Sequence, residues 1–426
     1  SAPPLNILVL GASGLLGRAV CERLLAAGHQ VTGFGNESPA PGVLPAMRWC
    51  AGDFARRLRP RHWRSELPGI DVVINTIGVF QERFLQTFAV IHDEAPAALW
   101  EACASYGVKR VIHVSALGAA EDAPTEYWRS KARGDARLLA HAEFDAWVVR
   151  PSLVYADEGQ SATLFRQWAA LPVLAVPGSA GAVQPIHRDD VADLIVRLAT
   201  AGGDTGARVI EAVGPKPLAW AAWLQTLRAG LGFAPAGAVA LPRWLVRCGV
   251  WLAAYRPHSL QTTDSLRMLE AGNVGEPGAA QRLETLLGRS LRAPETFAAP
   301  VLGLAAVMAT WRPLARLSLA LVWLLTALVS LLWASEGLQL LAEIGLPPAW
   351  RWPALLAGVA LDAAFGILTL WRPSRRLWLA QLALVLGYTL IITIGAPHWW
   401  LHPFGPISKN LPILALLWGC AALEEK

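Results

Sequence analysis

The chain has 426 residues, 16% of them charged, and a mean hydropathy of +0.38. This length indicates two or three domains, and the composition is too apolar for an ordinary soluble enzyme. The net charge of +5 comes from dispersed basic residues without aromatic-basic interleaving, so a nucleic-acid partner is not expected.

The apolar excess is concentrated after about residue 300. Residues 301–426 hold eight basic and five acidic residues among long apolar runs, whereas residues 1–300 have the charge content of a globular domain. We therefore expect two parts, at 1–296 and 297–426.

The five cysteines show no CxxC or metal-ligand spacing, so they predict buried, reduced thiols in a cytoplasmic domain and no metal site. Residues 5–10 (LNILVL) are too short for a signal peptide and are better explained as a strand.

A glycine-spaced turn follows that first strand. Gly11 permits the tight turn, Gly14 allows the backbone to approach a pyrophosphate, and Gly17 allows the next helix to pack on the strand. Ser13 and Leu15 lie inside the same turn, where the amides of the helix start point at phosphates. A packing turn with small residues is the alternative, because the motif alone has low specificity.

Strand and helix patterns alternate up to about residue 150. This order predicts a Rossmann-type α/β fold, a doubly wound parallel sheet with ligands at the carboxyl ends of its strands. The expected strands are 5–10, 30–34, 47–50, 71–76, 109–115 and 145–150, and the expected helices are 14–28, 84–106 and 126–142. Residues 151–296 are less regular and predict a small substrate lobe, with helices at 218–231, 242–255 and 280–288.

Three residues have the chemistry for carbonyl reduction. Tyr127 and Lys131 lie four apart on one helix face, and Ser115 ends the strand before that helix. A tyrosine hydroxyl can donate a proton to the carbonyl oxygen, an ammonium can lower the phenol pKa, and a serine can orient the carbonyl. A packed tyrosine beside a surface lysine is the alternative.

Several motifs together resemble those of an atypical, extended short-chain dehydrogenase/reductase, in the branch of the NADPH-binding accessory subunit of respiratory complex I. They are residues 11–17 (GASGLLG), 52–53 (GD), 75–78 (NTIG), 115–118 (SALG), 127–131 (YWRSK), 150–152 (RPS) and 184–191 (QPIHRDDV).

That resemblance assigns roles to individual residues. It implies that Ser115, Tyr127 and Lys131 are the catalytic set and that Lys131 also binds the cofactor. It further implies cofactor contacts by Asp53 at the adenine, by the turn of Asn75, Thr76 and Gly78, and by Pro151 and Ser152 near the nicotinamide. In the complex I relative, however, the nucleotide is thought to be structural.

The choice between NAD and NADP stays open at the end of the second strand. This chain has Gly35, Asn36 and Glu37 where relatives often carry an acidic residue or an arginine. Arg18 and the basic run at 56–64 could meet a 2′-phosphate, so we favour NADP.

The C-terminal part predicts membrane spans at about 314–334, 353–371, 377–396 and 407–423. The fourth is short, and buried helices of a soluble domain are the alternative to all four. This part resembles a DoxX-like four-helix membrane domain, through Asp362, Gly366 and the loop 397–412. Asp362 lies in mid-span, so we expect it to face the bundle interior, neutral or paired with Gln381 or Tyr388.

The distribution of arginines predicts the topology. Arg312, Arg316, Arg372, Arg375 and Arg376 flank the same side of the predicted spans. By the positive-inside rule, the N-terminal domain and the C-terminus are cytoplasmic and the protein is multi-pass in an inner or cytoplasmic membrane.

Two functional hypotheses follow. The first is a membrane-anchored NAD(P)H-dependent reductase of a carbonyl or quinone-like lipophilic substrate, with Tyr127 as the proton donor. The second is a non-catalytic NAD(P)-binding sensor or assembly module that docks a membrane complex. The bilayer is a partner in both, and a membrane-protein partner or a homo-oligomer stays open.

Overall fold

The computed structural model of the protein describes residues 3–37, 44, 46–201, 208–253, 262–402 and 406–424. The chain forms two compact units, Ser1–Ala306 and Val307–Lys426. Part of the predicted loop 397–412, at 403–405, lies outside the described residues, as do Glu425 and Lys426 at the C-terminus.

A seven-stranded sheet forms the centre of the first unit. The strands of this unit are β1 Asn6–Leu10, β2 Gln30–Gly35, β3 Arg48–Ala51, β4 Val72–Asn75, β5 Arg110–Val114, β6 Asp145–Pro151, β7 Val154–Tyr155, β8 Val173–Pro177, β9 Ile186–His187, β10 Val209–Ala212 and β11 Gly237–Leu241. The sheet order is β10-β6-β5-β4-β1-β2-β3, and every pairing in it is parallel. The predicted parallel sheet is confirmed.

The central strand shows why this sheet is covered on both sides. Ile7 and Val9 of β1 pack into one hydrophobic core, and Leu8 and Leu10 pack into another. Successive side chains of a strand point to opposite faces, so an almost continuous apolar strand must be buried on both.

Helices form these two layers. The helices of the first unit are α1 Leu15–Ala26, α2 Ala95–Ser105, α3 Glu126–Leu139, α4 Gln160–Ala169, α5 Arg188–Ala201, α6 Trp220–Gly230, α7 Arg243–Ala253, α8 Thr263–Ala271 and α9 Ala279–Leu287. Single turns of 3-10 helix lie at Phe54–Arg56, Pro60–Trp63, Pro294–Thr296 and Pro300–Leu302, and a π-helical turn at Val90–Glu94 leads into α2. The predicted helix 84–106 therefore begins later than expected.

The region after residue 150 divides between two packing groups. β10 joins the edge of the main sheet beside β6, and α5 packs against α1 in the core on that face. A separate core, which includes Tyr155, Trp220 and Trp223, forms the smaller lobe. The sequence predicted a substrate lobe over 151–296. In the structure, β10 and α5 of this range instead complete the main sheet and one of its helical layers.

The second unit is helical. Its helices are α10 Gly303–Leu332, which begins in the first unit, α11 Ala334–Glu343, α12 Pro348–Trp371, α13 Arg375–Gly395 and α14 Asn410–Leu423, with a 3-10 segment at Pro397–Leu401. Three helices, α10, α12 and α13, are long and apolar enough to cross a membrane. The fourth predicted span corresponds to α14, whose 14 residues are fewer than the roughly 20 that a span needs.

Candidate active site

The glycine turn between β1 and α1 has the geometry of a nucleotide-binding loop. Gly11 has φ +75°, a left-handed conformation that favours glycine. A Cβ added at Gly17 would overlap the carbonyl oxygen of Gly11, so the helix can approach the turn this closely only without a side chain. Gly14 N donates to Gly11 O at 2.9 Å and closes the turn.

The start of α1 is open to a ligand. Gly14 is the N-cap residue, and no side chain caps the helix there. Ser13 and Gly14 are exposed and Leu15 is half-buried. The first-turn amides and the helix dipole are therefore available to an anion, which fits the pyrophosphate of a dinucleotide.

The end of β4 supports this loop from below. Thr76 Oγ1 donates to Leu10 O at 2.7 Å, and Asn75 Oδ1 accepts from Ile77 N at 3.1 Å. Both predicted cofactor residues therefore shape the backbone of the turn. Gly78 is exposed, and a Cβ added there would lie 3.0 Å from Lys131 Nζ.

Tyr127 lies on α3 in an aromatic surround. Phe80 stacks on its ring at 5.2 Å between centroids, while Phe88 and His92 meet it edge to face. Burial raises the pKa of the Tyr127 phenol above its ordinary value. The expected lowering of that pKa by Lys131 is absent, because desolvation of the ring dominates, and the phenol stays protonated at neutral pH.

Lys131 lies one turn further along α3 and is also buried. Its Nζ donates to Val114 O at 3.3 Å, at the carboxyl end of β5. Burial lowers the pKa of Lys131 from 10.5 to about 8, although Asp135 acts in the opposite direction. The ammonium is therefore placed between the β5 end and the Gly78 turn, where a cofactor ribose or a substrate oxygen could accept from it.

The Ser115 hydroxyl, which was expected to orient a substrate carbonyl, is bonded within the protein. Its hydroxyl donates to Asp135 Oδ2 at 2.9 Å, and the same oxygen accepts from Arg150 at 2.9 and 3.0 Å. Ser115 would have to leave this buried carboxylate before it could donate to a substrate carbonyl. Its position at the strand end is as predicted, but here its hydroxyl belongs to a network that joins β5, α3 and β6.

The sequence analysis did not identify His92, which contacts the Tyr127 ring and links the loop at Val79 to α3. His92 Nε2 accepts from Val79 N at 3.2 Å, so Nδ1 carries the proton and donates to Ser130 Oγ at 2.9 Å. Burial lowers the pKa of His92, and Lys131 adds to that effect, so the ring is neutral. The sequence shows only that His92 precedes α3, and this position does not predict a contact with Tyr127.

At the predicted adenine end of the site, several of the side chains already form hydrogen bonds or ion pairs within the protein. Asp53 accepts from Ala55 N at 3.0 Å and pairs with Arg56 at 3.4 Å. Asn36 is exposed after β2, and Arg18 is exposed and paired with Glu22 at 3.0 Å. Of the basic run, Arg57 is structural, because it pairs with Glu66 and lies over the Trp63 ring.

The last two predicted residues lie at the end of β6. Pro151 O accepts from Leu117 N at 2.9 Å, and Ser152 Oγ donates to Gln184 O at 2.5 Å. Both hold neighbouring loops together. No cluster of metal-ligating side chains occurs among the residues that the structure describes.

Asp362 faces the interior of the second unit, as expected, in a buried stripe on α12 with Val359 and Gly366. Of its two candidate partners, Gln381 and Tyr388, Gln381 does not pair with it. Gln381 instead accepts from Trp323 Nε1 at 2.6 Å and donates to Thr369 Oγ1 at 2.9 Å. Oδ1 of Asp362 is buried without a hydrogen-bond partner among the described residues.

Comparison with known proteins assigns the two halves separately. Residues 11–201 match the NAD(P)H-binding family, and residues 320–418 match the DoxX-like family. The chain joins an NAD(P)-binding, short-chain dehydrogenase/reductase-like Rossmann domain to a DoxX-like domain. This is the fusion that the sequence motifs predicted.

Individual proteins agree with that assignment. NADH dehydrogenase [ubiquinone] 1 alpha subcomplex subunit 9 of Dictyostelium discoideum is 30% identical over 37% of this chain and 43% of its own length. The 2-alkyl-3-oxoalkanoate reductase of Shewanella oneidensis is 30% identical over 26% of this chain and 28% of its own. The chain spans about half the length of the first curated relatives it matches.

A solved structure shows the same fold in the first unit. The Thermus thermophilus UDP-glucose 4-epimerase complex with NAD aligns over 71% of this chain and 99% of its own, with a TM-score of 0.51 and 18% identity. At this identity, the likeness shows the fold alone.

Proposed function

We propose that the protein is a membrane-anchored NAD(P)H-dependent reductase of a lipophilic carbonyl or quinone-like substrate. The observation that supports this most directly is the pairing of Tyr127 and Lys131 on successive turns of α3. Lys131 reaches the β5 end and the Gly78 turn, on the same sheet edge as the glycine loop. A nicotinamide cofactor bound there supplies the hydride.

The side chains of α3 supply the proton and the positive charge. The Tyr127 phenol is protonated at neutral pH and can donate to an oxygen that becomes negative as hydride reaches the adjacent carbon. Lys131 is buried and fixed, so it offers an oriented ammonium in a site of low polarity. The Asp135 network holds α3 against β5 and β6, and Ser115 acts as a positioning residue within it.

The surroundings of Tyr127 favour an apolar substrate. Phe80 is 70% exposed while stacked on Tyr127, and Phe84 on the same loop is 96% exposed. A flat ring or an alkyl chain can pack against such a surface with little desolvation cost. The names of two relatives, a ubiquinone oxidoreductase subunit and an oxoalkanoate reductase, have lipophilic carbonyl compounds in common.

We further propose that the first unit and the C-terminus are cytoplasmic, at an inner or cytoplasmic membrane crossed several times. NADP is favoured over NAD, because the exposed Arg18 follows the glycine loop and could pair with a 2′-phosphate. Asp362 is proposed as a polar site of the helical unit. A membrane-protein partner or a second copy of the chain remains part of the proposal.

The test is oxidation of NADPH and NADH by the detergent-purified full chain, with short-chain quinones and lipophilic ketones as acceptors. Tyr127→Phe should lower turnover by roughly 100-fold or more, because it removes the proton donor. Its affinity for the nucleotide should stay within about twofold, since no proposed nucleotide contact is lost. Tyr106→Phe is the matched control, because Tyr106 is exposed at the end of α2.

The second candidate function is a nucleotide-binding sensor or assembly module. The relatives named as complex I subunits favour it. Tight nucleotide binding without turnover on any acceptor, unchanged in Tyr127→Phe, would support this function over the reductase.

A further inference from the structure

Helix α7 presents an apolar face to solvent. Trp244 and Trp251 are 65% and 61% exposed, and Leu245 is 41% exposed. Trp244, Cys248 and Trp251 are spaced four and three residues apart and therefore share one face of the helix. Large aromatic side chains on a single exposed face are unusual for a protein surface and mark an interaction site.

The side of α7 opposite the tryptophans is packed, and one border of the apolar face is polar. Val246 and Val250 are half-buried and lie opposite the tryptophans, so they mark the side that faces the protein. Arg243 and Arg247 lie along one border of the apolar face. An apolar face with tryptophan, bordered by arginine, is the pattern of a helix that lies in a membrane interface.

A positively charged pocket adjoins this helix. A cavity of about 250 Å³ lies between α7 and α8. Arg243 is paired there with Glu270 at 2.6 and 2.8 Å, whereas Arg247 forms no salt bridge within the part of the chain that the structure describes. The lining residues are Arg243, Arg247, Thr263, Leu266, Arg267 and Glu270. Arg267 is paired with Asp264 at 3.5 Å. The three arginines therefore face two carboxylates, and the remaining positive charge, at Arg247, complements an anionic headgroup.

The chain that leads into α7 begins beside the first apolar helix. A Cβ added at Gly303, the first residue of α10, would lie 2.7 Å from Leu231 O and 3.2 Å from the Phe233 ring. Phe233 is followed by β11 and then by α7. The segment before α7 is thus anchored to the first residue of α10, which lies within the first unit.

We propose that α7 lies in the headgroup region of an anionic phospholipid bilayer, with Trp244, Cys248 and Trp251 toward the acyl chains. The arginine pocket between α7 and α8 takes a lipid phosphate. This surface is a second membrane contact, separate from the apolar helices of the C-terminal unit.

The lipid contact can be tested independently of the proposed reductase activity, and it would explain how a lipophilic substrate reaches the site. Met268 of α8 packs against the cluster of Tyr127, Phe88 and Trp128, while its neighbours Leu266 and Arg267 line the pocket. A single helix therefore separates the proposed lipid contact from the proton donor. A lipophilic substrate could then pass from the bilayer to Tyr127 over a short distance.

Cys248 provides a probe at the centre of the apolar face. It is the exposed cysteine, whereas Cys21, Cys103 and Cys420 are buried and Cys50 is half-buried. The full chain is spin-labelled at Cys248 and reconstituted in phosphatidylcholine vesicles with or without phosphatidylglycerol. The readout is the ratio of collision with lipid-soluble oxygen to collision with a water-soluble nickel chelate. Cys248→Ser gives the background from other thiols.

The proposal expects a ratio at least about threefold higher at Cys248 than at Glu101→Cys, an exposed control site on α2 placed in the Cys248→Ser background. Trp244→Ser combined with Trp251→Ser should remove most of that difference. Arg247→Gln combined with Arg267→Gln should lower it in the anionic vesicles and not in phosphatidylcholine alone.

A ratio equal to that of the control site would overturn the proposal. Protection of the label that grows with protein concentration, without access to oxygen in lipid, would overturn it in favour of an interface between two copies. Turnover is measured on the same vesicles. A positive lipid contact without turnover rejects the reductase alone, and turnover without lipid contact rejects this inference alone.

Discussion

Each unit holds a buried carboxylate that has one oxygen without a hydrogen-bond partner among the described residues, Asp135 Oδ1 in the first unit and Asp362 Oδ1 in the second, but the hydrogen bonds around the two differ. In the first unit, Oδ2 of Asp135 accepts from Ser115 and Arg150, in a dense network at the sheet edge. In the second, Oδ1 of Asp362 has no hydrogen-bond partner among the described residues, and Gln381, one of its two candidate partners, bonds instead to Trp323 and Thr369. The second oxygen of Asp135 therefore ties this carboxylate into the scaffold of the Rossmann unit, whereas Gln381 forms its hydrogen bonds without Asp362.

Closely packed glycines of the two units differ in what surrounds them. Gly17 is pressed against the Gly11 backbone, while a Cβ at Gly366 would meet the Leu324 side chain at 2.6 Å. Backbone cannot move without disturbing the turn, but the end of a leucine can change rotamer. The first unit should therefore be the less tolerant of small changes.

The largest effect is expected for Asp135→Ala. It leaves Arg150 and Ser115 without their acceptor, and the free energy of unfolding should fall by about 3–5 kcal/mol. Thermal denaturation of the purified chain measures this. Glu22→Ala, which breaks the exposed Arg18 pair, is the control and should change the stability by less than about 1 kcal/mol. Equal effects in the two variants would contradict the comparison.

Gly17→Ala should weaken nucleotide binding by roughly 100-fold, about 2.7 kcal/mol, because the methyl group displaces the Gly11 turn. Fluorescence titration with NADPH gives the Kd. Gly237→Ala, where a Cβ meets nothing within 4 Å, should bind normally. Gly366→Ala in the helical unit should cost about 1 kcal/mol of stability and no affinity. Normal binding by Gly17→Ala would refute the assignment of the loop.

Lys131 sets a pH dependence of stability in the first unit. Its pKa is about 8 when folded and 10.5 ordinarily, so the unfolded chain holds the extra proton between these values. Stability should therefore rise as the pH increases through this window, by about 2 kcal/mol between pH 8 and 9.5. Denaturation at both pH values tests this against Lys131→Met, which should lack the rise. A fall in both proteins would show that other groups dominate.

The smallest effect is expected for Asp362→Asn. The unpartnered oxygen contributes no hydrogen bond, and the amide keeps the shape while removing an ionisable group from an apolar region. Thermal unfolding in detergent should shift by less than about 1 kcal/mol in either direction. Gln381→Ala removes two side-chain bonds and should cost more. If Asp362→Asn lost more than Gln381→Ala, the carboxyl would have a structural partner after all.

The sequence determined the features that depend on local pattern. Near-continuous apolar runs predicted β1 to β6, and the glycine spacing predicted the turn before α1. Hydropathy predicted four apolar helices in the tail, of which α10, α12 and α13 are long enough to span a membrane and α14 is shorter. These signals lie within a few residues of one another, because strand burial, turn conformation and the length of a span are set locally.

The tertiary structure decided which distant groups meet. β10 and α5 return to the sheet from beyond residue 150, Ser115 donates to Asp135, and His92 and Phe80 enclose Tyr127. Gln381 forms hydrogen bonds with Trp323 and Thr369 and not with Asp362. Each of these depends on contacts across long stretches of chain, where packing and desolvation select one partner among several that the sequence left equally available.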